Sequence, residues 1–498
     1  MPDEDIVKVP GLGRIVRVAM LFAAGLPLES AAPQSPPKTS VHTALDVAIA
    51  RMGGADALAR VERVRFESLT LWHRMTFEQR PFGDAVGSYE RHSDLRDYTI
   101  PAWRNTRRFV SGAPVQFEIV DVVRDTVAIR YAPTGPTAPA AWAPLNHAYL
   151  DERGELFTFA PERLLLAAKR ADLKALADTS IDGLAHARLE GVMEGFPTTL
   201  FLRRGDGFLA MVRYRAAQPN DFGLAPYGSM EVEMWYSRWT RLPLPNTPGI
   251  TYPMQWDVRR IGEPYKRITI LSARFDAAAP SDSFPVTDSL RRGFVATARK
   301  PMWDLPRDSA RIVDGRIALL GLPGASAVAV KLGSKWMFFE GATVPERTAS
   351  DVQWLQSRDP GTTAAGIVVS AAFAARGSVA WFARQRLALY VAPGAQRVTT
   401  RILRNWNVAA TAGTLVERGR WVRVDGDSLW IEPIQLPGSP GALVAWVPSL
   451  RWAYSGAAVT PVQTEFVLEH ARQRGWPVER LGSLRTLAEA VAARAATR

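Results

Sequence analysis

The most informative stretch of this chain is Ile367-Val368-Val369-Ser370-Ala371-Ala372-Phe373-Ala374-Ala375-Arg376-Gly377-Ser378. It begins with β-branched residues, which are typical of a buried strand, and continues through a loop of small residues to a glycine. The pattern after it predicts a helix at Ser378–Arg384 and a second apolar strand at Leu387–Val391. This segment therefore predicts a strand, a loop, a helix and a strand in succession.

The neighbouring segments extend this alternation in both directions. Before it, the pattern predicts the strands Arg316–Leu320, Ala327–Lys331 and Trp336–Phe339 and the helix Ala349–Ser357. After it, the pattern predicts the strands Arg420–Val424, Ser428–Pro433, Ala442–Val447 and Trp452–Ser455 and the helices Val462–Arg474 and Leu487–Ala496. Strand pairs followed by strand–helix alternation indicate two sheets covered by helices.

In this order of elements, residues 311–498 resemble the metallo-β-lactamase fold, a four-layer αβ/βα sandwich. In that family a strand runs into a loop of the form Thr-His-x-His-x-Asp-His-x-Gly-Gly, which binds two metal ions and precedes a helix and a strand. The strand before the loop, Phe373 within it, Gly377 after it and the following helix and strand all fit this pattern.

The metal ligands of the family do not fit. The resemblance places them on the vacated positions Ser370, Ala372, Ala374, Ala375, Gly438, Ala457 and Arg485. Zinc needs imidazole nitrogens or carboxylate oxygens at about 2 Å, and Ala and Gly offer neither. Residues 368–380 contain no His, Asp, Glu or Cys, so a shift of one position does not restore the site. The sequence therefore predicts no metal, no cofactor and no catalytic residue of this family.

Other chemistry has little support in the sequence. The vacated pocket has an expected rim that includes Phe373, Arg376, Ser439 and Ser455, and Arg376 with Arg485 could attract an anion. Nucleophile-elbow, Walker, dinucleotide-binding and His-Glu-x-x-His motifs are absent from the sequence. His470 is interpreted as an ordinary histidine on a helix surface. The carboxylates Asp314, Glu340, Asp351 and Asp359 are interpreted as capping or solvated groups.

The N-terminal half has a different pattern. A helix at His42–Met52 ends at Gly53-Gly54, a short helix follows at Ala55–Val61, and many strand-like runs come after it with one helical interlude at Pro161–Ala177. This predicts one curved antiparallel sheet. The opening of this half resembles outer-membrane lipoprotein carrier domains, antiparallel half-barrels with an apolar concave face. The aromatic residues that could line an acyl-chain cavity there, or fill an ordinary core, are Trp72, Phe77, Phe117, Phe201, Trp235 and Trp256.

Composition narrows the function classes. The chain has 498 residues and no cysteine, which excludes disulfides, thiolate nucleophiles and cysteine-ligated metals. The net charge of +12 comes from basic residues that are scattered along the chain, so we expect no nucleic-acid partner. Arg14 and Arg17 before the apolar stretch Val18–Leu28 resemble a signal peptide, and no later stretch is long and apolar enough to span a bilayer.

We therefore expect an α+β protein. Residues 1–40 are predicted to be a signal peptide and linker, residues 41–290 a lipoprotein-carrier-like antiparallel β domain, and residues 305–498 a degenerate metallo-β-lactamase-like domain. The expected function is that of a non-catalytic, periplasmic or secreted binding or scaffold protein with a small-molecule or lipid ligand. The alternatives are an active hydrolase, through an unrecognised metal site or a metal-free pocket, and a cytoplasmic location.

Overall fold

The computed structural model describes residues 41–78, 85–110, 116–133, 139–145, 148–219, 221, 223–276, 278–280, 282–297, 310–321, 327–371, 377–483 and 489–490. The signal-peptide and linker prediction lies outside these ranges, as does the predicted boundary near residue 305. Within them, no helix is long and apolar enough to cross a membrane. Residues 39–498 belong to one compact unit, so the division at 290–305 stays a prediction.

The N-terminal half is built on one antiparallel sheet of 13 strands. Two meanders, β1 to β6 and β7 to β13, are joined because β1 pairs with β13. The strands are β1 (Arg63–Glu78), β2 (Ala85–Asp97), β3 (Ala102–Val110), β4 (Gln116–Arg124), β5 (Val127–Pro133), β6 (Ala140–Pro144), β7 (Lys174–Ile181), β8 (Leu184–Met193), β9 (Phe196–Arg203), β10 (Leu209–Ala217), β11 (Ser229–Leu242), β12 (Ile250–Arg260) and β13 (Glu263–Phe275).

Helices cover the inner face of this sheet. On α1, Leu45, Ile49 and Met52 recur at helical spacing and are buried in one core with α4 and the inner faces of β8 to β13. This burial fixes which face of each strand points inward. The helices of this half are α1 (Val41–Met52), α2 (Ala55–Ala59), α3 (Ala148–Thr158), α4 (Pro161–Arg170) and α5 (Asp288–Thr297).

The C-terminal half contains two further sheets. A seven-stranded sheet has the order β14 to β20 and a six-stranded sheet the order β21 to β26. The strands are β14 (Arg311–Val313), β15 (Ile317–Leu320), β16 (Ala327–Leu332), β17 (Lys335–Phe339), β18 (Thr363–Val369), β19 (Ala388–Val391), β20 (Thr414–Leu415), β21 (Arg420–Val424), β22 (Asp427–Leu436), β23 (Ser439–Val447), β24 (Trp452–Tyr454), β25 (Arg480–Gly482) and β26 (Glu489–Ala490).

These two sheets share a buried core, and helices pack against them. Residues of both sheets, such as Phe339 and Trp452, lie in one cluster with apolar residues of α6, α7 and α8. A second cluster joins Val467 of α9 to β23, β24 and β25. The helices are α6 (Pro345–Arg358), α7 (Ser378–Arg384), α8 (Gln396–Asn405) and α9 (Pro461–Gln473). The predicted strand–loop–helix–strand is β18, α7 and β19, with β18 and β19 parallel.

The strand-rich α+β class with large antiparallel sheets is confirmed, and several individual elements differ from the prediction. The interlude predicted at Pro161–Ala177 ends at Arg170, and residues 174–181 form β7, whose backbone pairs with β8. The helix predicted at Leu487–Ala496 is wrong at residues 489–490, which pair as β26 with β25. In both places the backbone N–H and C=O groups form hydrogen bonds with a neighbouring strand. This pairing outweighs the local preference for a helix.

Candidate functional site

Two of the positions at which metal ligands were expected, Ser370 and the pair 456–457, lie side by side where β18 and β24 end. Ser370 directly follows β18, and its carbonyl accepts a hydrogen bond from the Leu443 amide of β23 at 2.9 Å. Its side-chain Oγ accepts one from the Gly456 amide at 2.7 Å. The expected positions at 370 and at 456–457 are therefore neighbours. Of the expected segment 438–441, Gly438 lies in the turn before β23 and residues 439–441 begin that strand.

Gly482, three residues before the last expected position, Arg485, lies beside the end of β24. The Ser455 amide donates to the Gly482 carbonyl at 3.2 Å, which places the segment after β25 next to the end of β24. Ser455 and Ala457 are fully buried and Ser439 nearly so, while Gly438 is exposed in a turn with φ 70°. Ala372, Phe373, Ala374, Ala375, Arg376 and Arg485 lie outside the described residues.

A buried carboxylate, predicted from the sequence to be a capping or solvated group, lies beside Ser370. Glu340 follows β17, has no solvent exposure and adopts a left-handed backbone with φ 62°. Its Oε1 accepts hydrogen bonds from the Ser370 amide at 2.7 Å and from the Ser370 hydroxyl. A Cβ on Gly456 would lie 2.4 Å from the same oxygen, so only glycine fits there. In the sequence, Glu340 could have been singled out because it is an acidic residue that directly follows the apolar strand Trp336–Phe339.

The side chains at the expected ligand positions do not fit a zinc site. The described positions carry hydroxyl, methyl or hydrogen side chains, and zinc prefers imidazole, thiolate and carboxylate ligands. Oε1 of Glu340 already accepts two hydrogen bonds from Ser370. Across the described residues, no three His, Cys, Asp or Glu side chains are grouped so that they could hold a metal ion.

Two other side chains differ from their predicted roles. His470 lies against Glu432, with 2.8 Å between Nε2 and Oε1, and its ring makes an edge contact with Trp476. It is therefore part of the packing between α9 and β22. Asp351 is buried on α6 and pairs with Arg347 at 3.1 Å, so it is not a solvated group.

A second polar cluster lies on the inner face of the N-terminal sheet. Asp94 accepts hydrogen bonds from Trp103 Nε1 at 2.6 Å and from Asn105 Nδ2 at 2.8 Å. His92 contacts Glu90 through Nε2 at 3.2 Å and Asn105 through Nδ1 at 3.1 Å. All five side chains are buried. The expectation of an apolar concave face is therefore wrong for β1 to β4.

The charge of Glu90 is stabilised inside this cluster. Burial alone would raise its pKa, but the hydrogen bond with His92 and the charge of Arg107 together hold the pKa below its ordinary value. Arg107 in turn pairs with Asp121 at 3.0 Å, and Arg130 binds the other oxygen of Asp121 at 2.6 Å. The cluster thus contains buried ion pairs and hydrogen bonds, which the alternation of apolar residues in the sequence does not reveal.

The aromatic residues proposed for an acyl-chain cavity do not line one cavity. Trp72 borders the polar cluster, and Lys266 Nζ lies 3.7 Å from the centre of its ring. Trp256 is fully buried in the core, while Trp235 lines a separate depression of the sheet. Phe201 lies beneath Arg213, and Phe117 stacks on Phe109. The side chain of Phe77 lies outside the described part of the chain.

Comparison with solved structures gives distant likenesses. No family model and no curated protein matches the chain. A DUF1329 family protein from Desulfovibrio piger aligns with TM-score 0.32 and 14% identity over 49% of this chain and 96% of its own. The DIM-1 metallo-β-lactamase aligns with TM-score 0.30 and 14% identity over 37% and 91%. The metallo-β-lactamase FIM-1 from Pseudomonas aeruginosa aligns with TM-score 0.29 and 14% identity over 39% and 99%. Similarities with TM-scores and sequence identities this low support no conclusion about the activity of this chain.

Proposed function

We propose that this chain is a non-catalytic binding protein whose C-terminal half is a metallo-β-lactamase-type four-layer αβ/βα sandwich without the metal site. The observation that carries the proposal is that the expected positions 370 and 456–457 lie side by side, and that their side chains are Ser, Gly and Ala. A fold of this type whose expected ligand positions carry no metal-binding side chains is what we expect of a pseudoenzyme.

The chemistry at these positions supports the same proposal. A bound metal would supply a water of lowered pKa as nucleophile, and the donors present do not suit one. Ser370 is the nearest candidate for a metal-free nucleophile because its hydroxyl contacts Glu340. It has no solvent exposure, however, and its Oγ is also bound by the Gly456 amide, which favours a structural role.

The N-terminal half completes the proposal as a lipoprotein-carrier-like half-barrel in an exported, periplasmic or secreted protein. Its 13-stranded antiparallel sheet, whose core includes residues of α1, α2 and α4, supports this interpretation. Because the inner face carries ionised groups beside β1 to β4, a small polar molecule is favoured over an acyl chain as its ligand.

Zinc content tests the proposal directly. The purified full chain is incubated with zinc, dialysed and analysed by elemental mass spectrometry, alongside Glu340→Gln. We expect below about 0.1 equivalent in both proteins, since a genuine site of this type holds its metal tightly. About one equivalent or more in the parent chain, lost in Glu340→Gln, would establish a metal site beside Glu340 and overturn the proposal.

A further inference from the structure

The strand β21 is a free edge of the six-stranded sheet. It stands first in the order β21 to β26, and among the described strands it pairs with β22 alone. Its backbone forms no hydrogen bond with a described loop. A strand edge of this kind offers a row of unpaired N–H and C=O groups to another strand.

The turn of the β21–β22 hairpin fixes which backbone groups face this edge. Asp425 and Gly426 form a two-residue turn with φ angles of 48° and 82°. The residues on either side of such a turn form a hydrogen-bonded pair, and bonded pairs then alternate with non-bonded pairs along the two strands. Trp421 and Arg423 fall in non-bonded pairs, so their N–H and C=O groups point away from β22.

The outer face of β21 carries an aromatic ring and a cation side by side. Val422 and Val424 are buried in the core shared by the two C-terminal sheets. Trp421 and Arg423 lie on the opposite face and are exposed, Trp421 by 49%. The ring of Trp421 packs against Trp430 of β22, with 5.3 Å between the ring centres. Because a guanidinium is attracted to the face of a tryptophan, this edge carries both halves of a cation–π pair.

We infer that β21 pairs antiparallel with β21 of a second copy of this chain, across a twofold axis at Val422. This register places Trp421 of each copy directly opposite Arg423 of the other. The two residues exchange both of their outward backbone hydrogen bonds, and the guanidinium of one copy packs on the indole of the other. The sheets of the two copies become one continuous sheet. The inference goes beyond the proposed binding function and does not depend on it.

The neighbouring registers lack this match. A shift of two residues towards the turn sets the Arg423 side chains of both copies directly opposite each other, and like charges in that position are destabilising. The opposite shift places Arg423 opposite Gly419, which has no aromatic ring. The strand has only 5 residues, so the contact is small and the dimer is weak and reversible.

Sedimentation velocity of the full chain between about 1 and 200 μM measures this association. We expect monomer at the lowest concentration and a growing dimer fraction above it. Arg423→Gln keeps the backbone N–H and loses the cation, so the dissociation constant should rise about tenfold. Arg423→Pro also loses the outward N–H, which edge strands tolerate, so the dimer should disappear. The control Arg472→Gln, at an exposed arginine of α9, leaves the dissociation constant unchanged.

Crosslinking tests the register, because the chain has no cysteine of its own. Val422→Cys places the thiols of the two copies in a directly opposed, non-hydrogen-bonded pair, with about 4.5 Å between the Cα atoms and within reach of a disulfide. Arg420→Cys in the same strand places them more than about 13 Å apart along the strands. In a glutathione redox buffer we expect a covalent dimer of Val422→Cys and little of Arg420→Cys.

Three results would overturn the inference. One is a parent chain that stays monomeric at about 200 μM, which leaves an extended peptide of another protein as the occupant of this edge. Another is an Arg423→Pro variant that associates like the parent. The third is equally rapid crosslinking of Arg420→Cys and Val422→Cys. A urea midpoint equal to that of the parent shows that Arg423→Pro is folded, and Arg423→Gln and the crosslinking pair test the same contact without proline.

Discussion

Glu155 of α3 is a buried carboxylate on which several contacts between α3 and the N-terminal sheet depend. Its carboxylate accepts hydrogen bonds from the Tyr214 hydroxyl at 2.6 Å, from Gln218 at 2.6 Å and from Arg260 at 2.9 Å. Glu155 and Arg260 are both about 5% exposed. Burial and the charge of Glu155 raise the pKa of Tyr214 well above its ordinary value, so its hydroxyl remains a donor.

Replacing Glu155 by Gln removes the charge but keeps the shape. We expect the free energy of unfolding to fall by about 3–5 kcal/mol, because Arg260 is left as an uncompensated buried cation. Urea unfolding at pH 7 measures the change. The matched control is Glu465→Gln, which breaks an exposed pair with Arg472 and should cost under about 1 kcal/mol. Equal effects in the two variants would contradict the assigned role of Glu155.

At the scale of elements, α8 connects the two halves of the compact unit. Asn405 at its end donates to the Ser229 carbonyl at 2.9 Å, and Trp406 Nε1 donates to the Pro226 carbonyl at 2.8 Å. A Cβ on Gly228 would lie 2.6 Å from the Trp406 ring, so glycine allows this close approach. Near the start of α8, Arg397 pairs with Glu263 at 3.1 Å.

Trp406→Ala tests this connection. We expect the free energy of unfolding to fall by about 2–4 kcal/mol, since the variant removes both the ring that packs on Gly228 and the hydrogen bond to Pro226. Chemical denaturation followed by circular dichroism measures it. Trp421→Ala is the control, because Trp421 is 49% exposed and should cost about 1 kcal/mol or less. A loss for Trp421→Ala as large as that for Trp406→Ala would show that the contact of α8 is unimportant.

At the scale of the whole molecule, ionised groups inside the N-terminal sheet link stability to pH. Burial alone would raise the pKa of Glu152, but the charge of Lys266 and its hydrogen bond hold the pKa below its ordinary value. The pKa values of Glu90 and Asp97 are lowered as well, against burial, by hydrogen bonds and nearby arginines. Burial raises the pKa of Asp221, which opposes the trend.

Stability should therefore fall on acidification. A carboxyl group with a lowered folded pKa stabilises the folded state above its unfolded pKa, about 4 to 4.5, and this stabilisation is lost as pH falls through the folded pKa. We expect a lower urea midpoint at pH 3.5 than at pH 7. Glu152→Gln should reduce this difference, because it removes one of the titrating groups. A midpoint that rises on acidification would mean that groups like Asp221 dominate.

The features that depend on local periodicity could be predicted from the sequence. The strand-rich α+β class followed from alternating apolar runs separated by turn residues. The helix predicted at Ser378–Arg384 and the strand at Arg420–Val424 have the same bounds in the structure, because each carries its own apolar pattern and turn signals. The absence of ligand-type side chains from 368–380 is also a property of the sequence alone.

Contacts between residues that are distant in the chain could not be predicted from the sequence. In β2, the inward positions are Glu90, His92, Asp94 and Arg96, so the strand lacks apolar alternation and was not predicted. Glu340 lies 30 residues before Ser370 in the chain, and only the parallel pairing of β17 with β18 brings them together. Buried polar side chains owe their environment to distant partners, and local periodicity carries no information about those partners.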